Sequence, residues 1–304
     1  MTEPSNITPA AKPRHPIRGI ARILLIALAA MLLVRCSGIV ESMAYVPSRT
    51  PFTTPIGTED VWFESTDGTK LHGWFMPAAA SRSDPTNTPR SAILHVHGNA
   101  GNVDSHESFS RFLTRHGFHV LVFDYRGYGR SDDRRINRHA LLKDTNAALA
   151  YLRTRDDVDA ANIGMFGVSL GGVFALHAAA DNPDVRAIAT ASAFSTWSGV
   201  AHDLAPVLGP ILMPRGLEPA AAARRLGTRP YLILHGMQDE IINPRHANLL
   251  FKAATDGGVV TTLWTDPTGD HNAMIQTNPK ARDQLITFFT THLIAPPDPK
   301  SPTD

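Results

Sequence analysis

Three residues far apart in this 304-residue chain could together activate a hydroxyl: Ser169, Asp239 and His271. Ser169 stands in "GVSLG", with Gly167 and Gly171 two residues to either side. The stretch before it, "IGMF", reads as a buried strand, and the stretch after it, "LGGVFALHAAA", as an apolar helix. At so sharp a strand-to-helix turn the hydroxyl is lifted clear of the sheet. Side chains at the two flanking positions would collide with the neighbouring strand and helix, which the glycines avoid. A helix starting at Leu170 also aims its positive end at that point, where it favours developing negative charge. The bare G-x-S-x-G pattern arises by chance in on the order of one chain in ten of this length at ordinary Gly and Ser usage. The flanking strand and helix therefore carry the argument. The competing reading makes the glycines close-packing residues and Ser169 a helix cap.

An unassisted serine is a weak nucleophile; it needs a base, and the base needs an orienting carboxylate. Of the 14 histidines, His271 is preferred because it follows the last strand in a loop flanked by Gly269 and Asn272. His177 and His292 fall inside helical patterns. For the acid, "HGMQDEIINP" places Asp239 just beyond a strand end. Glu240 is the near alternative, and Asp270 is disfavoured because a residue adjacent to His271 would point away from it. The small-residue loop in "HVHGNAGN" (His95 to Asn102) allows backbone N–H groups to face a ligand. The amides of Asn99 and Leu170 are the expected oxyanion donors. His95 and His97 share one strand face and could instead be metal ligands, but no cysteine or acidic partner lies at ligand spacing. No metal or organic cofactor is expected.

Eight strand-like runs position these loops: Val61–Ser65, Leu71–Met76, Ala92–Val96, His119–Asp124, Ile163–Gly167, Val185–Thr190, Tyr231–His235 and Val259–Trp264. Asp67-Gly68 joins the first two as a hairpin. From the third onward, helix-like stretches such as Ala140–Arg153 separate the strands. That alternation calls for an α/β fold, a mostly parallel eight-stranded sheet with helices on both faces. One domain over residues 45–292 accounts for it, followed by a frayed tail at 293–304. The connection after the sixth strand is a short apolar cap. Its Leu204, Val207, Leu208, Ile211, Leu212 and Met213 either line an acyl-chain groove or pack a helix onto the core.

Hydrophobic residues make up 43% of the chain and charged residues 19%, which excludes general disorder. A net charge of +1 provides no field for nucleic acid, and the basic run Arg130–His139 reads as a solvated loop. The single cysteine, Cys36, can form no internal disulfide. Residues 1–18 read as a disordered cytoplasmic tail. Residues 19–40 follow as a transmembrane anchor, with Lys12, Arg14, Arg18 and Arg22 before the apolar run. That asymmetry puts the N-terminus in the cytoplasm and the main domain outside it. The alternatives are a cleaved signal segment, lipidation at Cys36 or a soluble amphipathic helix.

The motifs "HGNAGN", "FDYRGYGRS", "GVSLGG", "LHGMQDEIINP" and "GDHN" occur in one order and resemble the α/β-hydrolase superfamily. Within it they are similar to the serine aminopeptidase-like, bud-emergence-type branch. The resemblance spans about residues 58–290. It implies Ser169 as nucleophile, Asp239 as acid and His271 as base, and a mainly structural role for "DYRGYG". There Arg126 would pair with a carboxylate near Asp124, and Gly127 and Gly129 would shape a turn. Implied substrates are small-molecule or lipid acyl esters or thioesters, with a peptidase or acyltransferase as the alternative on the same triad.

Overall fold

The structure, a computed structural model, describes residues 16–79 and 88–294. Expectations for 1–15 and 295–304 lie outside the described residues. All eight expected strands form: β1 (Glu59–Glu64), β2 (Lys70–Met76), β3 (Arg90–Val96), β4 (His119–Phe123), β5 (Val158–Val168), β6 (Ala187–Ala191), β7 (Tyr231–Gly236) and β8 (Thr261–Asp266). They make one sheet in the order β8-β7-β6-β5-β3-β4-β2-β1, with β2 antiparallel to both neighbours and every other pairing parallel. Gly68, at φ 74°, turns the β1–β2 hairpin, a left-handed conformation that glycine adopts freely.

The helices named here are α1 (Pro16–Ser37), α2 (Arg138–Arg153), α3 (Leu170–Asp181), α4 (Trp197–Leu204), α5 (Leu208–Leu212), α6 (Pro219–Ala223), α7 (Arg245–Asp256) and α8 (Pro279–Leu293). Because side chains alternate across a strand, β5 feeds both faces of the sheet. Ile163 and Met165 join a core with residues of α2, α3, α6 and α7. Phe166 and Val168 join a second core with Phe288 and Phe289 of α8. β5 can be buried on both sides because helices cover both.

Arg126 finds its carboxylates in Asp144 of α2, with Nε to Oδ2 at 2.9 Å, and in Asp67 of the hairpin, with Nη1 to Oδ2 at 2.8 Å. Those pairs tie the β4 turn to a helix and to the sheet edge. Asp124 has a different task. It accepts hydrogen bonds from the backbone N–H groups of Val103 (2.9 Å) and Arg130 (3.3 Å), and a Cβ on Gly129 would lie 2.0 Å from its Oδ2.

Two expectations need correcting. The N-terminal helix forms as α1, but among the described residues no helix is long and apolar enough to cross a membrane. The continuous span expected at 19–40 is interrupted at Gly38, whose φ of 74° ends α1 before a short separate helix, Ile39–Ser42. The six cap residues, moreover, do not act as one group. Met213 is buried and borders the cavity described below; Leu204 borders it too but is solvent-exposed, as are Val207, Leu208 and Ile211.

Candidate active site

The carboxyl ends of β3, β5, β7 and β8 are level with their neighbours, so loops distant in sequence meet above one edge of the sheet. Val96 pairs with Gly167, and Gly236 with Asp266. Ser169 sits between β5 and α3 at φ 52°, ψ −119°, a region a non-glycine residue occupies only when its surroundings force it. Its N–H donates to Ala191 O at 2.8 Å. A Cβ on Gly171 would stand 1.9 Å from Val96 O, and one on Gly167 would stand 2.6 Å from the Cα of Gly172. Both glycines are thus required by backbone proximity.

Asp239 lies just past β7 with its carboxylate fully buried. Its Oδ1 accepts the N–H groups of Ile241 (2.9 Å) and Ile242 (2.8 Å). Its Oδ2 faces His271 Nδ1 at 2.8 Å and His235 Nε2 at 3.2 Å. Burial alone would raise this carboxyl's pKa. The hydrogen bonds from His235 and His271, with the Ile242 N–H, outweigh burial and hold it well below the usual carboxylate range. Asp239 is therefore an anion whose lone pairs are already committed.

A carboxylate at Nδ1 places the imidazole proton of His271 there, leaving Nε2 with a free lone pair. The His271 main-chain carbonyl accepts from Ser192 Oγ at 2.9 Å, which holds the backbone from which the ring projects. Ser169 and His271 border the same cavity, and among the described residues Ser169 Oγ makes no hydrogen bond. Glu240 and Asp270 are not brought to the His271 ring; Asp270 caps the turn that follows, accepting from the N–H groups of Asn272 and Ala273.

The loop after β3 runs along the opposite wall. Asn99 is held by its carbonyl, which accepts from Tyr128 Oη at 2.8 Å, and by its side-chain oxygen, which accepts from Val46 N at 3.2 Å. The backbone N–H groups of Asn99 and of Leu170, the first residue of α3, have no hydrogen-bond partner among the described residues. Both residues border the cavity.

Three contributors were not apparent from spacing. His235, four residues before Asp239, donates from Nε2 to Ile242 O at 3.0 Å as well as facing the carboxylate. His106 donates from Nε2 to Ala100 O at 2.6 Å and so supports the Asn99 loop from below. His97, stacked on His106 with centroids 5.0 Å apart, donates from Nδ1 to Gly98 O at 2.7 Å. Burial lowers the pKa of both rings, so both stay neutral. His95 bonds Ser110 Oγ through Nδ1 at 2.8 Å, so it and His97 serve the loop and the core rather than facing each other as a ligand pair. His235 carries a readable signal, since it ends a strand and opens the acid's own loop. His106 carries none.

The cavity encloses about 580 Å³, and its far wall is apolar: Phe194, Trp197, Val200, Leu204, Met213 and Ile241. Residues 91–213 match the model of the α/β hydrolase fold family. The chain is 32% identical over 298 residues to the uncharacterized protein YfhR of Salmonella typhi, covering 93% of this chain and 98% of that protein. It belongs to the α/β-hydrolase fold family. Within that family, the α/β hydrolase domain-containing protein WAV2 of Arabidopsis thaliana is 29% identical, covering 76% of this chain and 80% of that protein. Among solved structures, an esterase of Pyrococcus furiosus superposes with a TM-score of 0.68 at 16% identity, covering 82% of this chain and 97% of that one. At that identity the likeness is one of fold.

Proposed function

We propose that this α/β hydrolase is a serine hydrolase that cleaves a carboxylic ester or thioester through an acyl-Ser169 intermediate. The observation that carries the reading is the buried Asp239–His271 hydrogen bond of 2.8 Å, which leaves Nε2 free beside the cavity that Ser169 also borders. His271 Nε2 takes the hydroxyl proton as Ser169 Oγ attacks the carbonyl carbon. Asp239 holds the ring in that tautomer and stabilises the imidazolium. The oxyanion is received by the N–H groups of Asn99 and Leu170, already unpaired and requiring no reorganisation. His271 returns the proton to the departing alcohol or thiol, then activates the water that releases the acid and regenerates Ser169. The Ser169–His271 hydrogen bond, not formed among the described residues, forms once a substrate excludes water, as is common for such pairs. The apolar far wall suits the hydrocarbon part of an acyl group.

Labelling of the full-length chain by a fluorophosphonate, lost in Ser169→Ala, tests the nucleophile. Aryl esters of increasing chain length test the wall, with rates expected to rise from acetyl to octanoyl. An unlabelled wild-type protein beside a reactive control esterase would leave the fold as a binding module.

We propose further that residues 19–40 hold the chain at a membrane surface. What supports this is the basic run before the segment and the exposed apolar side chains Leu25, Ile26, Leu28, Leu32 and Leu33 of α1. Recovery of the intact chain in the soluble fraction after low-salt lysis would count against it.

A further inference from the structure

A second cavity, of about 830 Å³, lies where α1 meets the domain, and its charge is as one-sided as the catalytic cavity is apolar. Three parts of the chain supply its cations: Arg35 near the end of α1, Arg134 and Arg135 from the loop after β4, and Arg215 just past the cap. The run Arg130–His139 reads as a solvated loop, and Arg134 and Arg135 are solvent-exposed there while also bordering this cavity, as does the exposed Arg215. Arg134, Arg135 and Arg215 have no ion pair or hydrogen bond among the described residues. Arg35 uses only Nη1, which donates to Ile211 O at 2.6 Å. Among the described residues the one acid bordering the cavity is Glu41, whose Oε1 is already engaged by Arg138 and Tyr45. Arg138 Nε lies 3.1 Å from its Oε1, the Arg138 N–H donates to the same oxygen at 2.7 Å, and Tyr45 Oη donates to it at 2.9 Å. Asp133, adjacent in sequence to Arg134, does not border the cavity.

Arginines that border one cavity with no protein counter-charge favour an anion there, above all a phosphate, which accepts paired guanidinium N–H groups. The neighbourhood points to where that phosphate comes from. The cavity opens at the end of α1, beside the exposed Leu32, Leu33 and Val34 and the exposed Leu208 and Ile211 of α5. An anion site continuous with an unpartnered apolar surface fits an amphiphile. We propose that this cavity binds the phosphate headgroup of an anionic phospholipid, with the lipid's chains lying along α1, and so fixes the catalytic domain at the membrane surface. The site is separate from the catalytic cavity; it rests on the membrane reading of 19–40 and not on the hydrolase chemistry.

The test uses the full-length chain in zwitterionic micelles, titrated with dioctanoyl phosphatidylglycerol, dioctanoyl phosphatidylcholine or inorganic phosphate. Thermal shift and native mass spectrometry are the readouts. Phosphatidylglycerol is expected to raise the melting temperature and to be retained, while the other two do so at much higher concentration or not at all. Arg134→Gln, Arg135→Gln and Arg215→Gln should each weaken phosphatidylglycerol binding about fivefold. Hydrolysis of a water-soluble aryl acetate should be unchanged in all three, which reports an intact fold. Equal response to phosphatidylcholine, or a response unaffected by the substitutions, would overturn the site. Inorganic phosphate binding as tightly as the lipid would overturn the lipid assignment. Soluble behaviour of the intact chain would sink the membrane reading on which it rests, separately from either result.

Discussion

Among the described residues a serine, a histidine and an aspartate come together in two places, and only one of them leaves an imidazole nitrogen free beside a cavity. In the first, His271 gives Nδ1 to Asp239 and keeps Nε2 free beside a cavity that Ser169 borders. In the second, Ser195 Oγ lies 2.8 Å from His246 Nδ1, and His246 Nε2 lies 3.1 Å from Asp203 Oδ2. The difference is where the lone pair goes. The Ser195 backbone N–H also points at Nδ1, at 3.2 Å, so that nitrogen can only accept and its capacity is filled by structure. Ser195 is 1% exposed and borders no part of the catalytic cavity, and Asp203 is further held by Arg245 at 2.5 Å. This second set pins the cap helix α4 to α7. Residue types and the His–Asp hydrogen bond are shared; a strained serine backbone and an open imidazole nitrogen are not.

The largest effect of substitution is expected at the two serines. Ser169→Ala should lower aryl-ester turnover by about 10⁴-fold or more with little change in melting temperature. Ser195→Ala should leave turnover within about threefold and cost about 1–2 kcal/mol of stability in urea unfolding. If the two variants lose activity equally, the distinction fails. Next come the acids. Asp239→Asn should cost about 10³–10⁴-fold in kcat by favouring the wrong tautomer of His271. Asp203→Asn should show chiefly as a lower melting temperature. A smaller effect is expected for His235→Gln, which removes one donor to the Asp239 carboxylate. A loss of about tenfold in kcat, with the acidic limb of the pH–rate profile displaced, would mark it as a positioning residue.

The smallest effect is thermodynamic. Burial lowers the pKa of His95, His97, His106 and His246 in the folded chain. Above about pH 6.5 these rings are neutral folded or unfolded and cost nothing. Below it the unfolded chain takes up protons that the folded chain refuses, so stability falls as pH drops. Melting temperature measured from pH 7.5 to 5.0 should decline below about 6.5. Asp239, with its lowered pKa, keeps its contribution to far lower pH and does not share in that decline.

Much of this was legible in one dimension. The inner strands were readable because each is a short run whose apolar content reflects burial on two faces, whereas the edge strands β1 and β8 are only partly buried. The Ser169 elbow was readable because its geometry demands glycines at fixed offsets, and Asp239 and His271 because each opens a loop directly after a strand. The cap was not. Whether Met213 is buried while Leu208 faces solvent depends on how two short helices sit, and a uniformly apolar run contains no phase to reveal it. His106 was hidden for a related reason: its partner is a carbonyl, Ala100 O, and every residue has one.

What the sequence by itself determined is local: strand and helix identity, the glycines a sharp turn requires, and the supply of a hydroxyl, an imidazole and an acid at strand ends. Tertiary structure alone decided which histidine nitrogen is left open, which of two similar triplets is a pin, and that arginines from three segments face one cavity. The reason is physical. Local patterns follow from steric and burial constraints acting within a few residues, whereas a free lone pair or an unpaired guanidinium is defined by neighbours that only the fold brings near.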